Sequence, residues 1–347
     1  MDEPINFIRC YGEKGWGEEW LAELFADVPL RIIDDPNFQT VLPRSIYAID
    51  GVLGLDHVPE RFLQAVAATG QAGLLHEGDE FLRGPYSIYR HFDFVIRPYP
   101  APFLRSRGVM AIPCGYCNDI PRPEHKPASQ RAYAWSFTGQ RNAARVQMAE
   151  ALGDIAPNYC HIVDQTRGQK HIPRAEFLGL LRDSAFAPCP MGNAHLETAR
   201  HYEALECGAI PLGTRRAGLD YFERLFGTQH RIPLFLNWAE ARGFAKDLMA
   251  NPAKLDRVQR EIMEWWASAR LRLRSDLKGF IEQGMEHSFR NELQRDFEGM
   301  TSMRVQAPRL LEILAHHDAN ALMGRAERVY RRGIRKVWHV AKGGRTD

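Results

Sequence analysis

The segment Ser136-Phe-Thr-Gly139-Gln-Arg141-Asn-Ala-Ala-Arg145 joins an apolar run to a helical pattern through a glycine, with two arginines four residues apart. A glycine there lets backbone approach a ligand. The first turn of the helix offers unpaired N–H groups and the positive end of its dipole. Arg141 or Arg145 would add a charged fork able to grip a diphosphate. Such a junction with surface arginines is also an ordinary structural feature, so its chemistry depends on what stands beside it.

A second segment, Pro190-Met-Gly192-Asn193-Ala-His195-Leu-Glu197-Thr198-Ala-Arg200-His-Tyr-Glu203, also follows an apolar run. Thr198 has the character of a helix N-cap, and Arg200 and Glu203, three apart, share one helix face. Here the loop N–H groups at Gly192 and Asn193 meet phosphate, and Glu203 accepts both hydroxyls of a ribose. The alternative is an exposed Arg200–Glu203 pair, worth little. A third segment, Leu74-Leu-His76-Glu77-Gly78-Asp79-Glu80, ends a strand in a knot of titratable groups. Crowded carboxylates raise one another's pKa, which suits a general base. Asp79 and Glu80 are the candidates, with Asp50 at the end of Ser45–Ile49 as the rival. Alternatively, Asp79 and Glu80 only open a helix, where acids are favoured. Glu77-Gly-Asp79 imitates an acidic metal motif, but no Asp-x-Asp occurs in the chain. Neither a metal nor a cofactor is expected.

The order strand, Cys-Pro-x-Gly-Asn, Thr-x-Arg-x-x-Glu-Ala-Leu, x-x-Gly-x-Ile-Pro resembles the nucleotide-sugar domain of exostosin-type glycosyltransferases, specifically over residues 134–213 and by architecture over 1–300. The resemblance implies the GT-B fold, two Rossmann-like α/β domains facing a cleft. It implies a nucleotide diphosphate sugar donor, UDP-linked, and a glycan or glycolipid acceptor. It places Arg200 and Glu203 at the nucleotide sugar and Arg141 or Arg145 at the diphosphate, with Gly139, Gly192, Asn193, His195 and Thr198 lining the donor. Many retaining enzymes of this fold carry a second glutamate eight residues before the ribose glutamate. His195 occupies that position here and Glu197 is two places off, which turns the expectation towards inversion, with a base from the first domain. The alternatives are a retaining transferase of the same fold and a non-catalytic nucleotide-sugar-binding protein.

Elements that could position these groups alternate along the chain. Strand patterns fall at Ile5–Cys10, Leu30–Ile33, Ser45–Ile49, Ala72–His76, Phe92–Arg97 and Gly108–Pro113, with helical periodicity at Glu18–Ala26 and Pro59–Ala68. The alternation restarts at Ala134–Thr138 and ends in long helices at Ala239–Met249 and Ala253–Arg274. The expected units are 1–117 on the acceptor side, a proline-rich linker at 118–131, the nucleotide-sugar domain at 132–300 and a helical extension at 301–347.

The 347 residues, 45% hydrophobic and 25% charged, exclude collagen, low-complexity disorder and coiled coil. The net charge of +2 conceals −6 over residues 1–130 and +7 over 325–345. A nucleic-acid binder would spread basic charge over a face, so no nucleic-acid partner is expected. Tyr330, Ile334, Val337, Trp338 and Ala341 with five interleaved basic residues make 325–341 an amphipathic cationic helix suited to an anionic membrane surface. The alternative is a final helix packed on the protein. Met1-Asp2-Glu3-Pro4 lacks the order of a signal peptide, and six scattered cysteines read as reduced structural thiols. The expected location is cytoplasmic, peripheral on the inner face of the membrane.

Overall fold

The computed structural model describes residues 3–11, 17–51, 55–80, 82, 84–120, 124–164, 169–192, 195–215 and 221–298. In the first half, β1 (Ile5–Arg9), β2 (Leu30–Asp34), β3 (Ser45–Asp50), β4 (Ala72–Glu77), β5 (Phe94–Arg97) and β6 (Val109–Ala111) form one parallel sheet in the order β2-β1-β3-β4-β5-β6. Helices α1 (Glu18–Leu24) and α2 (Glu60–Thr69) lie between its strands in sequence. In the second half, β7 (Tyr133–Gln140), β8 (Asn158–Val163), β9 (Ser184–Cys189), β10 (Ile210–Thr214) and β11 (Leu234–Phe235) form a parallel sheet in the order β11-β10-β9-β7-β8. It carries α3 (Ala143–Leu152), α4 (Arg174–Arg182), α5 (Ala199–Glu206), α6 (Glu223–Phe226) and α7 (Trp238–Met249). The fold is the expected one of two Rossmann-like sheets. Parallel strands covered on both faces read as continuous apolar runs. Accordingly Ser45–Ile49, Ala72–His76 and all of β9 are buried.

Each sheet places its first strand between its second and third. The chain therefore leaves β1 and β3, and likewise β7 and β9, towards opposite faces. A crevice opens outside the carboxyl ends of such neighbours, where ligands bind in open parallel sheets. Asp50 and Glu77 stand at strand ends beside the first crevice, and Gly139 and Cys189 beside the second.

The chain departs from the expected division after α7. A helix expected to stop at Arg274 runs as α8 from Pro252 to His287, about 54 Å at 1.5 Å per residue. The side chain of Asn251 caps it, accepting from Lys254 N at 3.0 Å. Its early turns hold the second half through Gln259 Nε2 to Gly208 O (2.8 Å) and Trp266 Nε1 to Glu206 Oε1 (2.7 Å). The buried series Leu273, Leu277, Ile281 and Met285 then keeps the apolar stripe going, and the helix reaches the first sheet, where Phe280 packs edge-on against Phe94. Phe289 N donates to Asp93 O (2.7 Å), and α9 (Arg290–Phe297) buries Leu293 and Phe297 in the core of the first half. The last part of the expected 132–300 unit therefore packs on the first sheet. The expected linker is likewise strapped down, with Ala128 N donating to Gln259 Oε1 (2.8 Å) and Ser129 N to Asp256 Oδ1 (2.8 Å). The expected extension at 301–347 and its basic tract at 325–341 lie outside the described residues. Among the described residues no helix is long and apolar enough to cross a membrane.

Two glycines of α8 test this crossing. A Cβ on Gly284 would stand 2.4 Å from the Phe94 ring, whereas one on Gly279 would meet nothing within 4 Å. Gly284→Val should lower stability in urea unfolding by about 1–3 kcal/mol through overpacking. Gly279→Ala should raise it by about 0.5–1 kcal/mol through helix propensity.

Candidate active site

The wall supplied by the second half is built around the end of β7. Asn142 caps α3, its side chain accepting from Arg145 N (2.9 Å), and its Nδ2 donates to Gly192 O (3.3 Å), joining the two loops of the crevice. Arg145 folds back so that its Nη1 donates to Gln140 O (2.7 Å). Arg200, from the first turn of α5, donates through Nη2 to Thr138 O (2.7 Å), with its guanidinium 4.3 Å over the Phe137 ring. The two arginines thus grip carbonyls on either side of Gly139. A Cβ there would come within 3.1 Å of the Phe137 ring and 3.4 Å of Arg145 Nη1. Among the described residues neither guanidinium has a salt bridge, and Arg145 Nε, Arg200 Nη1 and Thr138 Oγ1 are buried without a hydrogen-bond partner. Burial, then the neighbouring Arg200, brings the Arg145 pKa down to about 10, and burial lowers that of Arg200. Two half-buried guanidiniums, each with a buried N–H group left over, make an anion site, since an anion would pair those donors and relieve the repulsion that Arg200 exerts on Arg145.

A cavity of about 430 Å³ adjoins this wall. Ala143 and Ala144 of the first turn of α3, Met191, Leu196, Arg215 and Leu236 are among its lining residues. It is large enough for a nucleoside and continuous in sequence with the arginine pair.

The other expected donor residues serve different ends. Arg141 is exposed, with its backbone N–H on Val163 O (2.8 Å). Thr198 is the N-cap of α5, as expected, its N–H donating to His201 Nδ1 at 3.4 Å. Gly192 N donates to His195 O (2.9 Å), while Asn193 lies outside the described residues. His195 is only 2% exposed, packed between Tyr99 (5.1 Å) and Tyr221 (4.3 Å), which makes it interior packing rather than a donor contact. Glu203 is also buried. Its Oε1 accepts from Arg174 Nη1 (2.6 Å), and Arg174 also holds Asn118 O (3.0 Å) and Cys117 O (2.9 Å). A carboxylate so engaged and shut from solvent ties α5 to the strap between the sheets, so the expected ribose contact is not retained.

The wall supplied by the first half holds a cavity of about 510 Å³, lined among others by Tyr11, Trp20, Asp50, Glu77, Tyr99 and Cys114. Asp50 and Glu77 end neighbouring strands in direct register. Burial, then Asp50, pushes the Glu77 carboxyl up to about 7, and its Oε1 is buried without a hydrogen-bond partner. Glu80 reaches towards the opposite wall, since a Cβ on Gly192 would lie 3.1 Å from Glu80 Oε1. Asp79 does not line the cavity. Its side chain is 1% exposed, paired with Arg97 at 3.0 Å and accepting from Tyr86 OH at 2.7 Å. Arg97 Nη1 donates to Tyr89 OH (2.8 Å), which shares a 2.6 Å hydrogen bond with His76 Nδ1. Burial holds that imidazole neutral, with its pKa down to about 3. The expectation that Asp79 is the base is therefore corrected, because it is the counter-ion of Arg97.

Sequence reasoning passed over Glu77, Arg97, Arg174 and Glu197. Glu197, 1% exposed, accepts from Cys114 N (2.9 Å), Tyr221 OH (2.8 Å) and Tyr202 OH, and ties strap to α5. For Glu77 a signal existed: it is the last residue of its strand, where the carboxyl-end rule puts reactive groups, whereas Asp79 and Glu80 follow it. Among the described residues no group of three or more His, Cys, Asp or Glu could hold a metal ion.

No known family profile matches the sequence, and no curated protein sequence is similar to it. Among solved structures, the chain is similar to an α1,3-fucosyltransferase at 13% identity and a TM-score of 0.47, over 83% of this chain and 91% of that one. It is similar to Anabaena HepE in complex with UDP at 10% identity and 0.47, over 81% and 100%. It is also similar to T4 phage BGT in complex with UDP and Mn2+ at 13% and 0.45, over 81% and 100%. At these scores none of their chemistry transfers to this chain.

Breaking a buried pair strands a charge, which costs about 3–5 kcal/mol. Asp79→Asn and Arg97→Met should each lower urea stability by that order, and the double variant should lose less than the sum. Wild-type stability in Asp79→Asn would return that carboxylate to the list of bases.

Proposed function

We propose that this chain is a glycosyltransferase that moves a sugar from a nucleotide diphosphate sugar, UDP-linked, onto a hydroxyl of a glycan or glycolipid, with inversion and without a metal ion. Kinship with the exostosin-type enzymes is part of the proposal and rests on residues 134–213. The observation that carries the reading is the pairing of opposite walls: two half-buried guanidiniums at the end of β7, without a salt bridge among the described residues and with N–H groups left over, and a carboxyl raised to about 7 at the end of β4. In this reading the nucleoside occupies the cavity beside α3 and the diphosphate meets Arg145 and Arg200. The acceptor enters the cavity of the first half. Its hydroxyl oxygen attacks the anomeric carbon, its proton passes to Glu77, and the bond to the diphosphate breaks with the electron pair leaving on the diphosphate. The arginine donors stabilise negative charge where it develops, and preorganised donors of this kind lower the barrier more than any other single effect in most such reactions. Asp50 keeps Glu77 basic, and Glu80 stands between the two sites. Inversion needs one base and no nucleophile on the donor side. That agrees with a buried His195 and a Glu197 whose oxygens are already engaged.

Two experiments test the reading. Arg145→Ala should weaken UDP binding by roughly ten- to a hundred-fold while changing uridine binding little, because only the diphosphate meets the guanidinium. Equal loss for both ligands in a thermal-shift titration would remove the arginine from the phosphate site.

Glu77→Gln should leave UDP affinity intact and cut transfer by about 10²–10⁴-fold. In the wild type kcat/KM should rise with pH up to about 7 and then level off, since the base acts only when ionised. The same shift sets a stability slope. Between the ordinary 4.5 and about 7 the folded state keeps a proton on Glu77 that the unfolded state releases, so this group's contribution to stability falls as pH rises through that window. Buried His76 and His201, their pKa values lowered, contribute the opposite slope, so the check is the difference between wild type and Glu77→Gln. Stability profiles of identical slope in the two proteins between pH 4.5 and about 7 would deny the raised pKa.

A further inference from the structure

Resting on the reading above, we infer that the cavity of the first half takes an acceptor whose reacting end carries no negative charge, a neutral or amine-bearing sugar, and rejects uronic acids and phosphorylated sugars. The argument begins with the lining. Tyr11 and Tyr99 are partly exposed there, while Leu75, Pro98 and Ile112 are apolar. Such surfaces suit the C–H faces of a pyranose ring, and a few placed polar groups then fix orientation. The polar groups present are carboxylates, Asp50 and Glu77, and no Lys or Arg lines the cavity among the described residues. Two arginines on strands of this sheet, Arg9 and Arg97, are engaged in ion pairs. Arg9 is held by Asp34 at 2.6 Å and Glu18 at 3.2 Å, and Arg97 by Asp79 at 3.0 Å. An anionic group entering this field meets like charge in a partly desolvated site, where screening is weak. It would also hold Glu77 protonated and so disable the base. An ammonium meets the opposite.

The two walls therefore carry opposite signs, cationic for the donor and anionic for the acceptor, and this keeps each substrate and the released diphosphate out of the other's site. The inference does not follow from transfer chemistry as such, because an acceptor cavity carrying an arginine would serve the same reaction and take the opposite substrates.

The test measures acceptor binding without donor, by saturation-transfer NMR on the full chain. The probes are p-nitrophenyl β-glucoside, p-nitrophenyl β-glucosaminide with its free amine, and p-nitrophenyl β-glucuronide, with a UDP titration run separately. The glucoside and the glucosaminide should bind, and the glucuronide should bind at least about ten-fold more weakly, a gap that narrows at high salt. Asp50→Asn should bring the glucuronide towards the glucoside. Glucuronide binding equal to glucoside binding, an unchanged gap in Asp50→Asn, or no binding by any of the three overturns the inference. UDP binding distinguishes this from failure of the transferase reading: if UDP binds and the glucuronide competes with the glucoside on equal terms, only the acceptor claim falls. If UDP does not bind, the donor site falls and the acceptor claim is still decided by the three probes.

Discussion

The buried pair of Arg97 and Asp79 governs the first half of the molecule. Every nitrogen of that guanidinium is engaged: Nη2 by Asp79 (3.0 Å), Nη1 by Tyr89 OH (2.8 Å) and Nε by Pro98 O (3.1 Å). A charge so fully satisfied in the interior cannot shift without stranding itself, and the penalty for that exceeds what a surface contact returns. Asp79 lies between Glu77 and Glu80, so the pair pins the turn that presents both carboxylates to the cleft. Beneath the same turn, a Cβ at Gly51 would stand 2.0 Å from His76 Nε2. Only glycine permits β3 to end so close to that ring.

Arg145 and Arg200 show how the same residue type does opposite work. Arg97 has a carboxylate and a partner for each of its three nitrogens, and acts as framework. Arg145 and Arg200 hydrogen-bond only to carbonyls among the described residues and keep donors without partners, and Arg200 lies close enough to depress Arg145. The difference is one of satisfaction as well as of burial, since Arg97 is 1% exposed and the other two are half-buried. A framework charge is complete by itself, whereas a binding charge is completed by its ligand.

This difference explains what could be read from the sequence. Strand and helix positions were legible because parallel strands and amphipathic helices each leave a periodic trace. The glycine turn at Gly139, the cap at Thr198 and the knot at 77–80 were legible because turn and cap chemistry is local. Partners were not. The cation that removes Asp79 from the bases is 18 residues away, and the one that occupies Glu203 is 29 residues away. Nothing in the spacing of either carboxylate announces them. The length of α8 was missed for another reason. Helical character was legible on both sides of Arg274, but not that it is one unbroken helix, because the buried positions that continue it at Leu277, Ile281 and Met285 lie in the stretch that reaches a sheet far upstream in the chain.

The residues expected at the donor that proved to be interior, His195 and Glu203, belong to one structure. His195 joins Tyr99 to Tyr221, Glu197 joins Cys114 to Tyr202 and Tyr221, and Glu203 joins Arg174 to the strap at 117–118. Arg270 of α8 completes the set through Glu23 (2.8 Å) and Glu206 (3.2 Å). These contacts form the joint between the sheets, and they use the same loop and helix that carry Gly192 and Arg200. The separation between a base on β4 and a cation pair on β7 is therefore set by buried carboxylates and the groups bonded to them. In the transferase reading, reactant alignment is a property of that joint, because positioning within a fraction of an ångström is what such catalysis requires. In that reading the motif segment of residues 190–203 carries two functions side by side, with Arg200 turned to Thr138 O and Glu203 to Arg174 on one stretch of helix. That is why a pattern of residue types alone assigned both residues to the ligand.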